Sequence, residues 1–164
     1  MTRRLLLLFL LSLVFTGARA DGDALPPDYQ PLQRFPAGRV TVRSAGRSHE
    51  FRVWIARTPQ HRSQGLMFVR TLDPDRGMLF VFPAPLVASF WMQNTYLPLD
   101  MLFVQGNGRI SNIAASTRPL TTDPYNAVAR VVAVLEVPGG TAERLGIRAG
   151  DRIELPARIL REAR

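Results

Sequence analysis

The stretch from Phe90 to Val104, FWMQNTYLPLDMLFV, places polar side chains among apolar ones. A folded domain must satisfy such groups internally or present them to a ligand. An indole ring can stack on a sugar or another small polar ligand, while amides, hydroxyls and carboxylates bind the ligand's polar groups. The predicted ligand-binding residues are therefore Trp91, Gln93, Asn94, Thr95 and Asp100.

Asp100 also has a structural interpretation. It lies between Leu99 and Met101 in a run that has the composition of a buried segment. A buried carboxylate is costly unless it is paired or accepts several hydrogen bonds. Asp100 could accept backbone N–H groups at the Pro98 break, or the amide of Asn94, and lock the bend there. Both interpretations remain open at the level of the sequence.

A second chemistry would pair Asp100 with Glu136 as the two carboxyl groups of a hydrolase. Glu136 comes at the end of an apolar run, VARVVAVLEV. The pair could act only if the carboxyl groups lie within about 5 to 10 Å of each other at one cleft. Asp151 follows Ala149-Gly150, and we expect it to hold its own turn through backbone hydrogen bonds.

No metal or cofactor is predicted. His49 and His61 are the two histidines, there is no Cys, and neither histidine stands near another ligand at a useful spacing. Four methionines, which could suggest copper(I), lie in apolar runs and are expected in the core. They are Met67, Met78, Met92 and Met101. No G-x-S-x-G elbow or phosphate-binding glycine loop is present.

The chain begins with the pattern of a secretory signal peptide. Arg3 and Arg4 precede an apolar run from Leu5 to Phe15, and Ala18-Arg19-Ala20 forms a small-residue cleavage site. We expect removal after Ala20 and a periplasmic or secreted protein without a stable membrane span. A retained anchor is the alternative, although the run is shorter than the ~18 residues of a spanning helix.

The net charge of +8 falls to +5 if three arginines leave with the signal peptide. The remaining arginines are spread singly along the chain, a pattern that attracts anionic surfaces only weakly. Nucleic acid is therefore not an expected partner, and an anionic envelope surface is a better candidate.

The elements that would position these residues are mostly short strands. Residues 1–20 are the predicted signal peptide, 21–38 an extended Pro-rich leader, 39–158 a single β domain and 159–164 a short basic tail. Period-two alternation on both sides of Ala45-Gly46 predicts a hairpin, and Thr58 is expected to cap a helix from Pro59 to Gln64.

Further strands are predicted along the rest of the domain. Pro83 and Pro85 are expected to end the third strand. Thr141 is expected to cap a second short helix, and residues 115–127 are expected to form a long loop. Seven or eight strands with two short helices indicate a compact antiparallel β barrel or sandwich, not alternating parallel β/α units. The predicted strands are 77–82, 87–95, 99–104, 109–114, 128–137 and 152–155.

Several motifs carry a family resemblance. ARTPQHRSQGLMFVR, GMLFVF, FWMQNTYLPLDMLFV, GRISNI, VLEVPGG and RLGIRAGD occur in this order and spacing, and the chain resembles domain-of-unknown-function family 192 over roughly residues 40–156. The resemblance implies an exported bacterial or an archaeal protein with a barrel-like β domain and no established activity. The chain departs from the family pattern at Gln93, where Lys is expected, and at Gln60 and His61, where a Glu is usual.

The leading hypothesis is a non-catalytic exported domain that binds a small polar ligand, a saccharide or an envelope component through the Trp91 to Asp100 residues. The hydrolase that uses Asp100 and Glu136 is the first alternative. The second is an accessory or scaffolding protein that contacts another envelope protein through the 115–127 loop and its arginine-rich surface.

Overall fold

A curled seven-stranded sheet forms the frame of the molecule. The computed structural model describes residues 25–155. The predicted signal peptide, residues 21–24 of the leader, residues 156–158 and the basic tail lie outside these described residues. The strands are β1 Ala37–Ser44, β2 Arg47–Ala56, β3 Arg76–Leu86, β4 Ser89–Phe90, β5 Leu99–Val104, β6 Ile110–Ala114, β7 Tyr125–Asn126, β8 Val131–Pro138 and β9 Arg152–Glu154. The α-helices are α1 Pro59–Gln64 and α2 Thr141–Leu145, and a 3-10 helix at Leu32–Arg34 interrupts the predicted extended leader.

The large sheet has the strand order β6-β5-β8-β3-β2-β1-β9, and β4 pairs with β7 in a separate ribbon. Its two edges meet, because the Ile110 N–H donates to the Asp151 carbonyl and the Ile153 N–H to the Gly108 carbonyl, both at 2.8 Å. Joining the edges removes the unpaired strand rims that open sheets expose. The predicted mainly β, barrel-like fold is therefore confirmed.

One strand pair departs from the antiparallel expectation. β2 and β3 are parallel, and α1 lies in the connection between them. The helix has the predicted bounds, and its His61 N–H donates to the capping hydroxyl of Thr58. A parallel pair needs a crossover connection, which a tight turn cannot provide. The sequence analysis missed this single β-α-β unit because the helix has only six residues.

Two apolar clusters lie on opposite faces of the sheet. The first contains Val42, Phe51 and Leu135 and is covered by Ala142 of α2 and by Ile147. The second contains Phe80, Met101 and Val134, and Leu32, Phe35 and Leu66 cover it from outside the sheet. Side chains alternate along a strand, so β3, β5 and β8 contribute to both clusters. The candidate functional site belongs to the second face.

Two predicted elements are wrong. The strand expected over 87–95 is confined to Ser89–Phe90, because the chain then turns: Asn94 has a left-handed φ of +55°, and the Thr95 N–H donates to the Met92 carbonyl at 3.1 Å. Pro83 and Pro85 do not end β3, which continues to Leu86 across a shift in its register with β8. Proline is tolerated at such an irregularity, where ladder hydrogen bonds are already absent.

The predicted cap of the second helix is also wrong. Thr141 is the first helical residue, and the N-cap is Gly140, which has no side chain that could accept a capping hydrogen bond. The carboxylate of Asp100 accepts the free N–H groups instead. Within residues 25–155, none of the helices combines the length and the apolar character needed to cross a membrane.

Candidate functional site

A cleft with a volume of about 590 Å³ opens over the second face of the sheet. One wall is α1 with the residues that follow it, and the other runs along the end of β3 through β4 to Trp91. Thr122 and Pro124 of the 115–127 loop complete the rim. Ligand pockets typically have volumes of about 300 to 1,000 Å³, so the cleft has the size of a small-molecule site.

Glu136 lines this cleft from the central strand β8. Its register places it directly between Met78 of β3 and Met101 of β5, and both methionines are fully buried. Glu136 itself is only 4% exposed. The carboxyl group thus has apolar thioether side chains on both sides along the sheet and the cleft above it.

The Glu136 carboxyl group has no hydrogen-bond partner in the described part of the chain. Burial alone raises its pKa to about 8, and no neighbouring charge contributes to the shift. Removing a carboxylate from water favours its neutral form, which explains the direction. Near neutral pH the protonated carboxyl can both donate and accept a hydrogen bond at the bottom of the cleft.

Arg62 of α1 supplies the other charged side chain among those that line the cleft. Its guanidinium donates to the carbonyls of Arg57 and Val81, and it lies over the Phe82 ring at 5.9 Å from the centroid. These contacts hold the guanidinium against the wall formed by β3. One largely apolar cleft therefore contains the Arg62 guanidinium on its wall and the Glu136 carboxyl, which has no partner among the described residues.

The turn at residues 91–98 positions Trp91 and Thr95 at the cleft. Fully buried Met92 anchors it, and its N–H donates to the Thr121 carbonyl at 2.9 Å. The Leu120 N–H donates to the Thr95 carbonyl at 3.1 Å. Trp91 is left 53% exposed at the rim, whereas Thr95 is 6% exposed. The 115–127 loop thus supports this side of the cleft.

Gln93 and Asn94 do not line the cleft with Trp91. The expectation that Trp91, Gln93 and Thr95 share one face assumed an extended strand, and the turn removes that alternation. Asn94 borders a separate depression beside Tyr29 and Phe68, and its carbonyl accepts the Phe68 N–H at 2.8 Å. Of the five predicted ligand-binding residues, the cleft brings Trp91 and Thr95 together and adds Glu136.

Asp100 is fully buried and lies away from the cleft. Its carboxylate accepts three backbone N–H groups: Ser116 at 2.7 Å, Gly140 at 3.0 Å and Ala142 at 2.7 Å. These donors differ from the Pro98 break and the Asn94 amide that the sequence suggested. Asp100 therefore joins β5, the start of the 115–127 loop and the first turn of α2. The Arg148 N–H donates to Asp151 at 2.7 Å, which confirms Asp151 as a turn acid.

Asp100 and Glu136 face opposite sides of the sheet. Asp100 pairs with Val137 and Met101 with Glu136 in the β5–β8 register, and successive side chains alternate between faces. Val137 belongs to the first apolar cluster and Met101 to the second. Two carboxyl groups separated by the sheet cannot act on the same bond, so the arrangement that the hydrolase hypothesis requires is not assembled.

The sequence analysis missed the α1 side of the cleft. Arg62, Gln64 and Met67 line it, but a six-residue helix with Arg and Gln has the composition of a solvated surface. Glu136 is a candidate in the sequence analysis, but as a catalytic partner of Asp100 and not as part of the Trp91 site. Its signal is an acidic residue that interrupts the apolar run VVAVLEV, because buried acids are rare unless they are partnered or functional.

Comparisons with known proteins place the chain among uncharacterised domains. A search of curated proteins found no match. A crystal structure from Sinorhizobium meliloti 1021, described as a candidate transcription regulator, is 42% identical with a TM-score of 0.72, over 73% of this chain and 94% of that one. A protein of unknown function from Novosphingobium aromaticivorans DSM 12444 is 40% identical with a TM-score of 0.73, over 85% of this chain and 99% of that one.

The family model DUF192, described as an uncharacterized ACR, matches residues 40–155. The match extends from β1 to the end of the described residues and includes both walls of the cleft. The chain therefore belongs to the domain-of-unknown-function family 192.

Proposed function

We propose that the protein binds a small ligand, without turning it over, in the cleft between α1 and Trp91. One observation carries the proposal: Glu136 is almost completely buried as a residue, lines the cleft and has no side-chain hydrogen-bond partner in the described part of the chain. Buried polar groups in folded proteins nearly always have partners. A polar group of a ligand would supply the missing one.

The walls suit a ligand that presents an apolar face at the rim and a polar group at the floor. Trp91 offers a half-exposed ring at the entrance, and such rings stack on saccharides and on other flat ligand faces. Ser63 and Thr122 add hydroxyl groups that can bind a ligand around the rim. The Gln64 amide, in contrast, is held by the backbone of Gln30. Saccharides and envelope components therefore remain ligand candidates, and we propose a periplasmic or secreted location on the basis of the predicted signal peptide.

The description of the Sinorhizobium meliloti relative does not lead us to propose nucleic-acid binding. Several arginines on the sheet surface are paired with acidic side chains: Arg39 with Glu50 at 2.7 Å, Arg43 with Glu154, and Arg52 with Asp75 at 2.7 Å. Paired cations release fewer counterions from a phosphate backbone and contribute less to its binding. A concave apolar cleft with an unpartnered carboxyl supports small-ligand binding more directly.

A thermal-shift screen tests the proposal, with saccharides, peptidoglycan fragments, amino acids and amines as the panel. A ligand at a hundred times its Kd should raise the free energy of unfolding by about 2.7 kcal/mol. For any hit, Trp91→Ala should weaken binding about tenfold or more, since it removes the stacking surface. Because the Trp91 ring is half exposed, this variant should fold normally.

Gln93→Ala is the matched control, because Gln93 is exposed two residues away and does not line the cleft. It should leave the affinity unchanged. A hit whose Kd is the same in the wild type and in Trp91→Ala, or which Gln93→Ala weakens as strongly, would place the ligand elsewhere. No hit across the panel would contradict the proposed function itself.

A further inference from the structure

Aromatic rings line the same cleft as Glu136. Four rings line it, from Phe80, Phe82, Phe90 and Trp91. Phe80 and Phe90 pack edge to face at 4.9 Å between centroids, so their orientations are fixed by contact with each other. The faces of aromatic rings carry partial negative charge and attract cations, including quaternary ammonium groups.

The cleft already holds one cation against a ring of its wall. The Arg62 guanidinium carbon lies 5.9 Å from the Phe82 centroid, and the guanidinium also donates to two backbone carbonyls. Arg62 is therefore engaged at the wall and does not neutralise Glu136, whose pKa shift has no contribution from a neighbouring charge. Phe80, Phe90 and Trp91 remain as rings that no cation of the described residues covers.

We propose that the ligand is an organic ammonium compound whose cationic group enters the cleft and pairs with the Glu136 carboxylate; this inference rests on the proposed binding function. Aromatic rings that line the cleft would stabilise such a group by cation–π attraction, and the Glu136 carboxylate by direct charge pairing, both strengthened by the low local dielectric. A neutral ligand would gain only a hydrogen bond from the same carboxyl. The ligand body would then lie toward Trp91 at the rim.

Pairing with a cation requires the carboxyl to lose its proton. For a quaternary ammonium R–N(CH₃)₃⁺, binding below the carboxyl pKa converts Glu136–COOH to Glu136–COO⁻ and releases one H⁺ to solvent. The side chains that flank Glu136 on the sheet are the thioethers of Met78 and Met101, which carry no titratable proton. Arg62 is the other charged residue that lines the cleft. The pH dependence of binding would therefore report on Glu136.

Choline and its neutral carbon isostere, 3,3-dimethylbutan-1-ol, are the matched probes. Choline does not titrate in this range, so any change of its Kd with pH belongs to the protein. With the pKa of Glu136 at about 8, the ionised fraction rises about ninefold between pH 6 and pH 7. The Kd for choline, measured by titration calorimetry, should fall by about the same factor and level off above pH 8.

Glu136→Gln removes the charge and keeps the shape, so it should weaken choline binding at pH 8 by at least about tenfold and abolish its pH dependence. Asp123→Asn is the control, because Asp123 is exposed between the lining residues Thr122 and Pro124. It should leave the Kd unchanged, which separates pairing inside the cleft from general attraction to surface charge.

Three results would each overturn the cation inference: the neutral isostere binds as tightly as choline, the choline Kd is independent of pH, or Glu136→Gln binds choline like the wild type. Lack of measurable choline binding would overturn it as well. If a saccharide binds the wild type and Trp91→Ala abolishes that binding, the proposed function is supported even though the cation inference fails. The failures of the two proposals are thus distinguishable.

Discussion

Replacing Asp100 with Asn should destabilise the protein by about 2 to 4 kcal/mol. The carboxylate accepts three backbone N–H groups, two of them on Oδ1 and one on Oδ2. An Asn keeps one acceptor oxygen, which would stay with Ser116 and Gly140, and turns its NH₂ toward the Ala142 N–H. A hydrogen bond to a charged group contributes about 1.5 to 3 kcal/mol, and an unsatisfied buried donor adds its own desolvation cost.

Urea unfolding followed by circular dichroism measures this change, and the m-value should stay constant if only the folded state is affected. Asp151→Asn is the control, since its carboxylate accepts one backbone N–H in an exposed turn, and we expect a loss of about 1 kcal/mol or less. If Asp100→Asn costs no more than Asp151→Asn, the three hydrogen bonds do not stabilise the junction as argued. Asp100→Asn should leave ligand affinity intact in the folded protein, because Asp100 does not line the cleft.

Two further predictions concern Glu136 and its neighbouring strand. Burial raises the Glu136 pKa from 4.5 to about 8, so the folded state retains a proton that the unfolded state has lost. The free energy of unfolding should therefore fall as pH rises from 5 to 8, by up to ~1.4 kcal/mol per pH unit. If the free energy of unfolding has the same dependence on pH in the wild type and in Glu136→Gln, this prediction is wrong. Gly77→Ala would place a Cβ 2.3 Å from the Glu136 carbonyl oxygen, and it should lower the free energy of unfolding in urea by more than about 2 kcal/mol. Gly106→Ala is the control, because its Cβ meets Val132 at an ordinary 3.6 Å. Equal losses in the two variants would contradict the steric argument.

Local signals were sufficient to predict several elements to the residue. Thr58-Pro59 and Gly65 correctly bound α1, and β5 spans Leu99–Val104 as expected. The β1–β2 hairpin turns at Ala45-Gly46, and both residues have positive φ. In each case the residues that determine the structure are adjacent in sequence, so capping, turn and alternation rules apply directly.

The turn at residues 91–98 could not be predicted in this way. Its alternation of apolar and polar residues fits a strand equally well, and the conformation is set by hydrogen bonds to Thr121, Leu120 and Phe68. The cleft has the same origin, because its lining residues extend from Pro59 to Glu136 along the chain. Residues that meet only after the sheet has curled leave no local pattern, which is why the predicted site contained Trp91 and Thr95 but not Arg62.

Glu136 is the residue whose presence the fold explains least. A Met or Leu between Met78 and Met101 would pack on the second apolar cluster without desolvating a carboxyl group, and the fold would gain stability from the exchange. Asp100 is equally buried, yet its three backbone hydrogen bonds account for its place in the structure. Glu136 has no such partner, and it lines the cleft rather than a closed core. A destabilising acid at the floor of an open cleft is the kind of residue for which activity and stability have opposing requirements, and for this reason Glu136 carries both proposals.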